Sequence, residues 1–335
     1  MVDFRYHLVS LIAVFMALAI GIVLGAGPLQ NSIGSALNDQ VESLRQSRDD
    51  ARIVAQDAES RSAAYREGLE SLAPDMVAST LDGQTVVVVT LPGTEDSVRE
   101  TQVATLTAAG ATVTGTVALT ENMFSAERAA YRNALAGQLG SYVEPADSPL
   151  GTLARGLDYI VTTAASDAGA ATLAELYQSE DTALIEVTDT LTGPATAILV
   201  IGPAEEEVVE ETEPPDDTNM ANTIEVLSSL KTPMVLTAKG GEGTLLEAIR
   251  DGGLPISTVD SPEDATALIN IPFALTQELT GSTVNWGIAP SADRVLGTSA
   301  PIELAGPAPG DGTSQEGDGT GGEDPTDGAD QTAVP

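Results

Sequence analysis

One segment constrains this chain more than any other: an apolar run of twenty residues from Leu8 to Gly27. It holds no charge, and Ser10 is its single hydroxyl residue. At ~1.5 Å per residue such a helix spans about 30 Å, the depth of a bilayer core. Arg5 and the α-amine precede it, and the next basic residue is Arg45. The excess of positive charge on the short side predicts a cytoplasmic stub at 1–7, a single-pass anchor at 8–27 and an extracytoplasmic remainder. A cleaved signal peptide is the competing reading, with Arg5 in its n-region and Gly25-Ala26-Gly27 at its cleavage site. The run is longer than the usual h-region, which favours retention. Small residues recur every four positions at Ala13, Ala17, Gly21 and Gly25. Such a stripe lets two membrane helices approach closely, although Gly and Ala are common in membrane helices anyway.

Residues 28–73 read as a helical stalk. No Pro or Gly interrupts Ser35 to Glu67. A 4-3 spacing runs through Leu37, Val41, Leu44, Arg48, Ala51, Ala55, Ala58, Ser62, Tyr65, Leu69 and Leu72, the seam of a coiled coil. Its ends are apolar and its middle is not, so a single helix packed on the next domain is the alternative. Pro74 is expected to end this region.

From 82 onward the pattern changes to short apolar runs alternating with helical stretches. Strands are predicted at 85–90, 111–119, 157–163, 182–187, 195–201, 233–238 and 256–259. Helices are predicted at 95–109, 125–139, 167–179, 219–230 and 243–250. This alternation argues for an α/β domain over 82–300 with a mostly parallel sheet, Rossmann-like or flavodoxin-like. Two segments look disordered. Residues 204–217 hold eight acids and no base, and the tail at 301–335 is rich in Gly, Asp, Pro and Thr with no Lys or Arg.

Composition excludes several chemistries. The chain of 335 residues has no Cys and one His, His7 at the foot of the anchor. Disulfides, thiolate sites and any Ser–His or Cys–His arrangement outside the membrane are ruled out. Fifty acids against fourteen bases give a formal charge of −36, which argues against nucleic acid as a partner. A carboxylate pair remains able to do acid–base work, but no pair stands out. A non-enzymatic role is therefore expected. The six methionines are scattered, and the acidic segments lack the ligand spacing of an EF-hand. No cofactor signature is evident.

Two loops fall where ligands bind in open α/β sheets, beyond the carboxyl ends of strands. Thr90-Leu91-Pro92-Gly93 lacks the dinucleotide fingerprint. Lys239-Gly240-Gly241-Glu242-Gly243-Thr244 offers close backbone approach and one of only two lysines. It reads either as a weak candidate site for a small anion or peptide carboxylate, or as a tight turn in which Thr244 caps the next helix. The second reading is the commoner origin of such a turn, and Glu242 opposes an anion.

The segment Phe4 to Leu29 resembles the N-terminus of the MctB family, actinobacterial envelope proteins named as copper-transporting outer-membrane channels. The likeness runs through Arg5, His7, Ser10, Ala17-Leu18-Ala19-Ile20-Gly21 and Leu24-Gly25. Beyond it the layout is similar: stalk, a strand leading to Pro92-Gly93, then an α/β body. The resemblance implies copper transport or efflux across the envelope, with copper as the transported ion. Members similar to partners in cell separation imply another role, a bitopic scaffold that regulates peptidoglycan cleavage through a membrane partner. The residues depart from a copper channel. They offer one membrane helix, no alternating strands for a barrel and no copper-ligand cluster, so a pore would require a homo-oligomer through anchor and stalk.

Overall fold

The computed structural model describes residues 4–26, 28–179, 182–204 and 217–301. Helix α1 (Phe4–Ala26) contains the apolar run, and every residue from Phe4 to Gly25 is exposed. Helix α2 (Pro28–Val77) is 50 residues long, about 75 Å. Pro28 opens it, where the missing N–H costs nothing. All residues from Leu37 to Gly68 are exposed. Its base is held, where Ala73 and Val77 are buried with Leu81. That burial carries the helix through Pro74 to Val77, correcting the expected stop. Pro74 has no N–H to give to the carbonyl of Glu70, a loss that the buried base outweighs.

The head follows: β1 (Thr85–Thr90), α3 (Asp96–Ala108), β2 (Thr112–Leu119), α4 (Ala129–Ala136), α5 (Pro149–Thr162), α6 (Ala168–Tyr177), β3 (Ile185–Asp189), β4 (Ala197–Ile201), α7 (Asp217–Ser229), β5 (Met234–Ala238), α8 (Leu245–Asp251), β6 (Ser257–Asp260), α9 (Ala267–Leu279) and β7 (Asn285–Trp286). The seven strands lie in the order β3-β2-β1-β4-β5-β6-β7. All neighbours pair in parallel except β2 and β3, which are antiparallel. The order reverses between β1 and β4, the topological switch point of doubly wound sheets.

The β-branched central strands bury both faces, as parallel strands do. Val87 and Val89 of β1 pack on one side with Ile198, Val200 and Leu236, beneath α4, α5 and α7. Val86 and Val88 pack on the other with Leu199, Ile201 and Val235, beneath α3, α9 and the base of α2. The period of two therefore divides one strand between two cores.

The structure corrects several elements. The predicted strand at 157–163 is the second half of α5. Ser148 caps that helix by accepting from Gly151 N (2.9 Å), and Pro149 begins it. The predicted helix at 125–139 shortens to α4, flanked by 3-10 turns at Ala126–Arg128 and Leu139–Ser141. The strand at 182–187 shifts to β3, because Thr182 is drawn into a turn on Ser179 O. Helix α9 and strand β7 had no predicted counterpart. The segment after β7 is strapped onto α9, with Asn270 Nδ2 donating to Val295 O and Asn270 Oδ1 accepting from Gly297 N. Most of the predicted acidic loop, 205–216, and the tail from 302 lie outside the described residues.

Candidate functional site

Both loops singled out from sequence meet on one side of the sheet. A cleft of about 700 Å³ opens beyond the carboxyl ends of β1, β4 and β5. Leu91 and Pro92 enter it from β1, Pro203 from β4, and Ala238 and Lys239 from β5. Glu121, Phe124 and Ser125 come from the turn after β2, and Asn219, Met220 and Thr223 from the start of α7. Ligand clefts in such sheets form here because the chain leaves β1 and β4 in opposite directions.

Local bonding fixes the walls. Leu91 N donates to Ile201 O (2.8 Å), and Thr94 Oγ1 lies 2.8 Å from both Leu91 O and Ile201 O. These bonds tie the β1 turn across the switch point. The helix beyond, α3, opens with Asp96 after Glu95 at its cap. Carboxylates at that end disfavour the phosphate a dinucleotide would place there. On the opposite wall the buried guanidinium of Arg132 donates to Asn122 O (3.0 Å) and Ser125 O. Burial lowers the Arg132 pKa, partly offset by the charge of Glu225. Asn222 Nδ2 donates to Phe124 O. The turn carrying Phe124 is therefore held from two helices.

The predicted glycine loop divides between several tasks. Lys239 and Thr244 line the cleft. Lys239 is half-buried, and its backbone N donates to Pro203 O (3.0 Å). Gly240 instead permits close packing, since a Cβ there would lie 2.8 Å from Asp260 Cβ and 2.9 Å from Ala289 Cβ. Gly241 (φ +130°) and Gly243 (φ +83°) supply backbone conformations that L side chains rarely adopt. They border a neighbouring groove of about 570 Å³ whose other walls include Glu242, Glu247 and Asp251. Thr244 caps α8, its Oγ1 accepting from Glu247 N (3.3 Å) and donating to Gly241 O (2.8 Å). Carboxylates around the groove and a self-capped, seven-residue helix make the loop a tight turn that presents Lys239. Glu121, Phe124, Asn219 and Met220 carried no sequence motif; only the topology brings them together.

A second polar cluster lies beside the loop. Arg250 donates to Asp260 Oδ2 (3.1 Å), Thr258 Oγ1 (2.8 Å), Ser291 Oγ (3.0 Å) and Trp286 O (3.0 Å). Asp260 Oδ1 accepts from Ile288 N (2.7 Å) and Ala289 N (3.1 Å). This network clamps α8, β6 and β7 together. Among the described residues no three His, Cys, Asp or Glu side chains gather as a metal-holding group.

The small-residue stripe of α1 faces open space. A Cβ added at Gly21 or Gly25 would meet nothing within 4 Å, and Ala13 and Ala17 on the same helix are exposed. Phe4–Gly25 holds an 18-residue window with a mean hydropathy of 2.8, and the helix is long and apolar enough to cross a membrane.

Comparison with known proteins gives a family. The sequence pattern of the family described as copper transport outer membrane protein, MctB, matches residues 1–296. Copper transporter MctB of Mycobacterium tuberculosis (strain ATCC 25618 / H37Rv) is 33% identical over 159 residues, 45% of this chain and 48% of the relative. The protein of the same name in Mycobacterium leprae (strain TN) is 31% identical over 152 residues, 45% of this chain and 47% of the relative. The matched stretch thus spans about half the length of these curated relatives. The family match runs through the apolar helix, the stalk and the α/β head alike, and the chain belongs to the MctB family.

Proposed function

We propose that this chain is an anchored envelope protein that takes part in moving copper out of the cell. In this reading α1 crosses the membrane with residues 1–7 in the cytoplasm, and the stalk and head lie outside. Copies associate through the stripe on α1 and the exposed length of α2, and the head works as a binding module, without catalysis. The observation that carries the reading is the family match over residues 1–296, which takes anchor, stalk and head as one unit. The relatives named copper transporter support copper as the cargo. The test is copper sensitivity of a deletion strain complemented with the full chain or with a chain lacking residues 82–301. Rescue by the full chain alone is expected, and no difference between deletion and parent would defeat the reading.

One observation favours a second reading. The 50-residue stalk helix separates a well-packed head from the apolar helix along the chain. A scaffold that regulates peptidoglycan cleavage through a membrane partner would need only these parts. It predicts normal copper handling with defective cell separation in the deletion strain.

A further inference from the structure

The cleft beyond β1, β4 and β5 has features that copper handling leaves unexplained. Its volume of about 700 Å³ lies within the range of small-molecule sites. Leu91, Phe124, Met220 and Leu245 give it an apolar lining. Lys239 stands in it half-buried, with no ion-pair partner among the described residues, in a chain where acids outnumber bases fifty to fourteen. Asn219 supplies a further signal. Its side-chain oxygen is buried without a hydrogen-bond donor, a state that costs free energy until a donor arrives. The side chain forms part of the cleft wall.

We propose that this cleft binds a small apolar monocarboxylate with an N–H group beside the carboxylate: an acylated apolar amino acid, free or as the last residue of a peptide. Lys239 takes the carboxylate, the Asn219 amide turns to take the N–H, and the apolar side chain enters among Phe124, Met220 and Leu245. A single negative charge fits better than the double charge of a phosphate. Glu121 lines the same cleft, Glu95 and Asp96 begin the helix at the switch point, and Glu242 sits in the loop after Lys239. The Phe124 wall is fastened by Arg132 and Asn222 before any ligand arrives, so little ordering is lost on binding.

The test uses the full chain in lipid nanodiscs, with N-acetyl-leucine as the probe and ligand-observed NMR or calorimetry as the readout. Binding with a Kd on the order of millimolar is expected for a ligand this small. N-acetyl-leucinamide, which lacks the charge, and 4-methylpentanoate, which lacks the N–H, should each bind about tenfold more weakly. Lys239→Met should lose about tenfold while Lys239→Arg retains binding. Asn219→Leu should weaken N-acetyl-leucine but not 4-methylpentanoate. A tripeptide ending in leucine that binds more tightly than N-acetyl-leucine identifies a peptide end as the occupant; the reverse order identifies a free acylated amino acid. Equal affinity for acid and amide, displacement by inorganic phosphate, or no binding of any probe would overturn the proposal. If Lys239→Met does not fold, the comparison of acid with amide on the unaltered chain decides.

Discussion

Arg250 places a guanidinium that is 3% exposed on the wholly buried carboxylate of Asp260. Taking away one partner leaves the other charge desolvated and unpaired, which is far costlier than the pair itself. Arg250→Met is therefore expected to destabilise the head by about 3–5 kcal/mol, read from chemical denaturation of the full chain. Glu278 makes a different, pH-dependent contribution. Burial raises its pKa, partly countered by hydrogen bonds from Ser257, whose N lies 3.1 Å from Oε1. Between the ordinary carboxylate value of about 4.3 and the raised one, the folded chain keeps a proton that the unfolded chain has released. Stability thus falls as pH rises through that window. Glu278→Gln should flatten the fall, measured as melting temperature against pH. Single residues were only partly legible in the sequence. Lys239 and Thr244 could be picked out because glycines surround them. Phe124, Asn219 and Met220 reach the same cleft from distant parts of the chain, and no local pattern announces that meeting.

At the scale of elements, α5 shows how a correct residue pattern misleads over too short a window. Residues 157–163 include Ile160, Val161, Thr162 and Thr163, a run that suits a strand. Read from 149, the buried positions Leu150, Leu153, Ala154, Leu157, Ile160 and Val161 follow the helical repeat, behind a Ser-Pro start. Tertiary burial of that stripe outweighs β propensity. Helix α9 was invisible for the opposite reason. It is buried almost all round from Ala267 to Thr276 and contains Pro272, so it shows neither an amphipathic stripe nor an uninterrupted run. The joint between α5 and α6 gives a sharp prediction. A Cβ at Gly156 would lie 2.1 Å from the Tyr177 hydroxyl, which donates to Leu153 O (2.7 Å) within the core. Gly156→Ala improves helix propensity by up to ~1 kcal/mol, but the displaced ring and broken bond should win. A net loss of about 1–3 kcal/mol is expected in denaturant melts. Ser148→Ala, which removes the α5 cap, should cost about 1 kcal/mol in the same assay.

The whole molecule joins three parts of different physical character. An apolar helix suits lipid, a long polar helix suits water, and a two-sided sheet supplies the only extensive core among the described residues. The apolar helix and the α/β head were readable from sequence because each has its own pattern: an unbroken apolar run in one and β-branched blocks in the other. Association was not readable. The seam through Arg48, Ala55 and Ser62 is compatible with a pair of helices and with a lone one, and α2 is exposed on all sides from Leu37 to Gly68. If copies meet through α1, Gly21→Ile with Gly25→Ile should shift the nanodisc-embedded chain from oligomer to monomer in cross-linking; a chain that is monomeric without these changes would remove that part of the proposal.

The central claim, that the chain takes part in moving copper out of the cell, is tested most directly by cell-associated copper under copper load. The comparison is between a deletion strain, its parent and the deletion complemented with the full chain. The account predicts copper excess in the deletion and its return to the parental level on complementation. Equal copper in all three strains would contradict it.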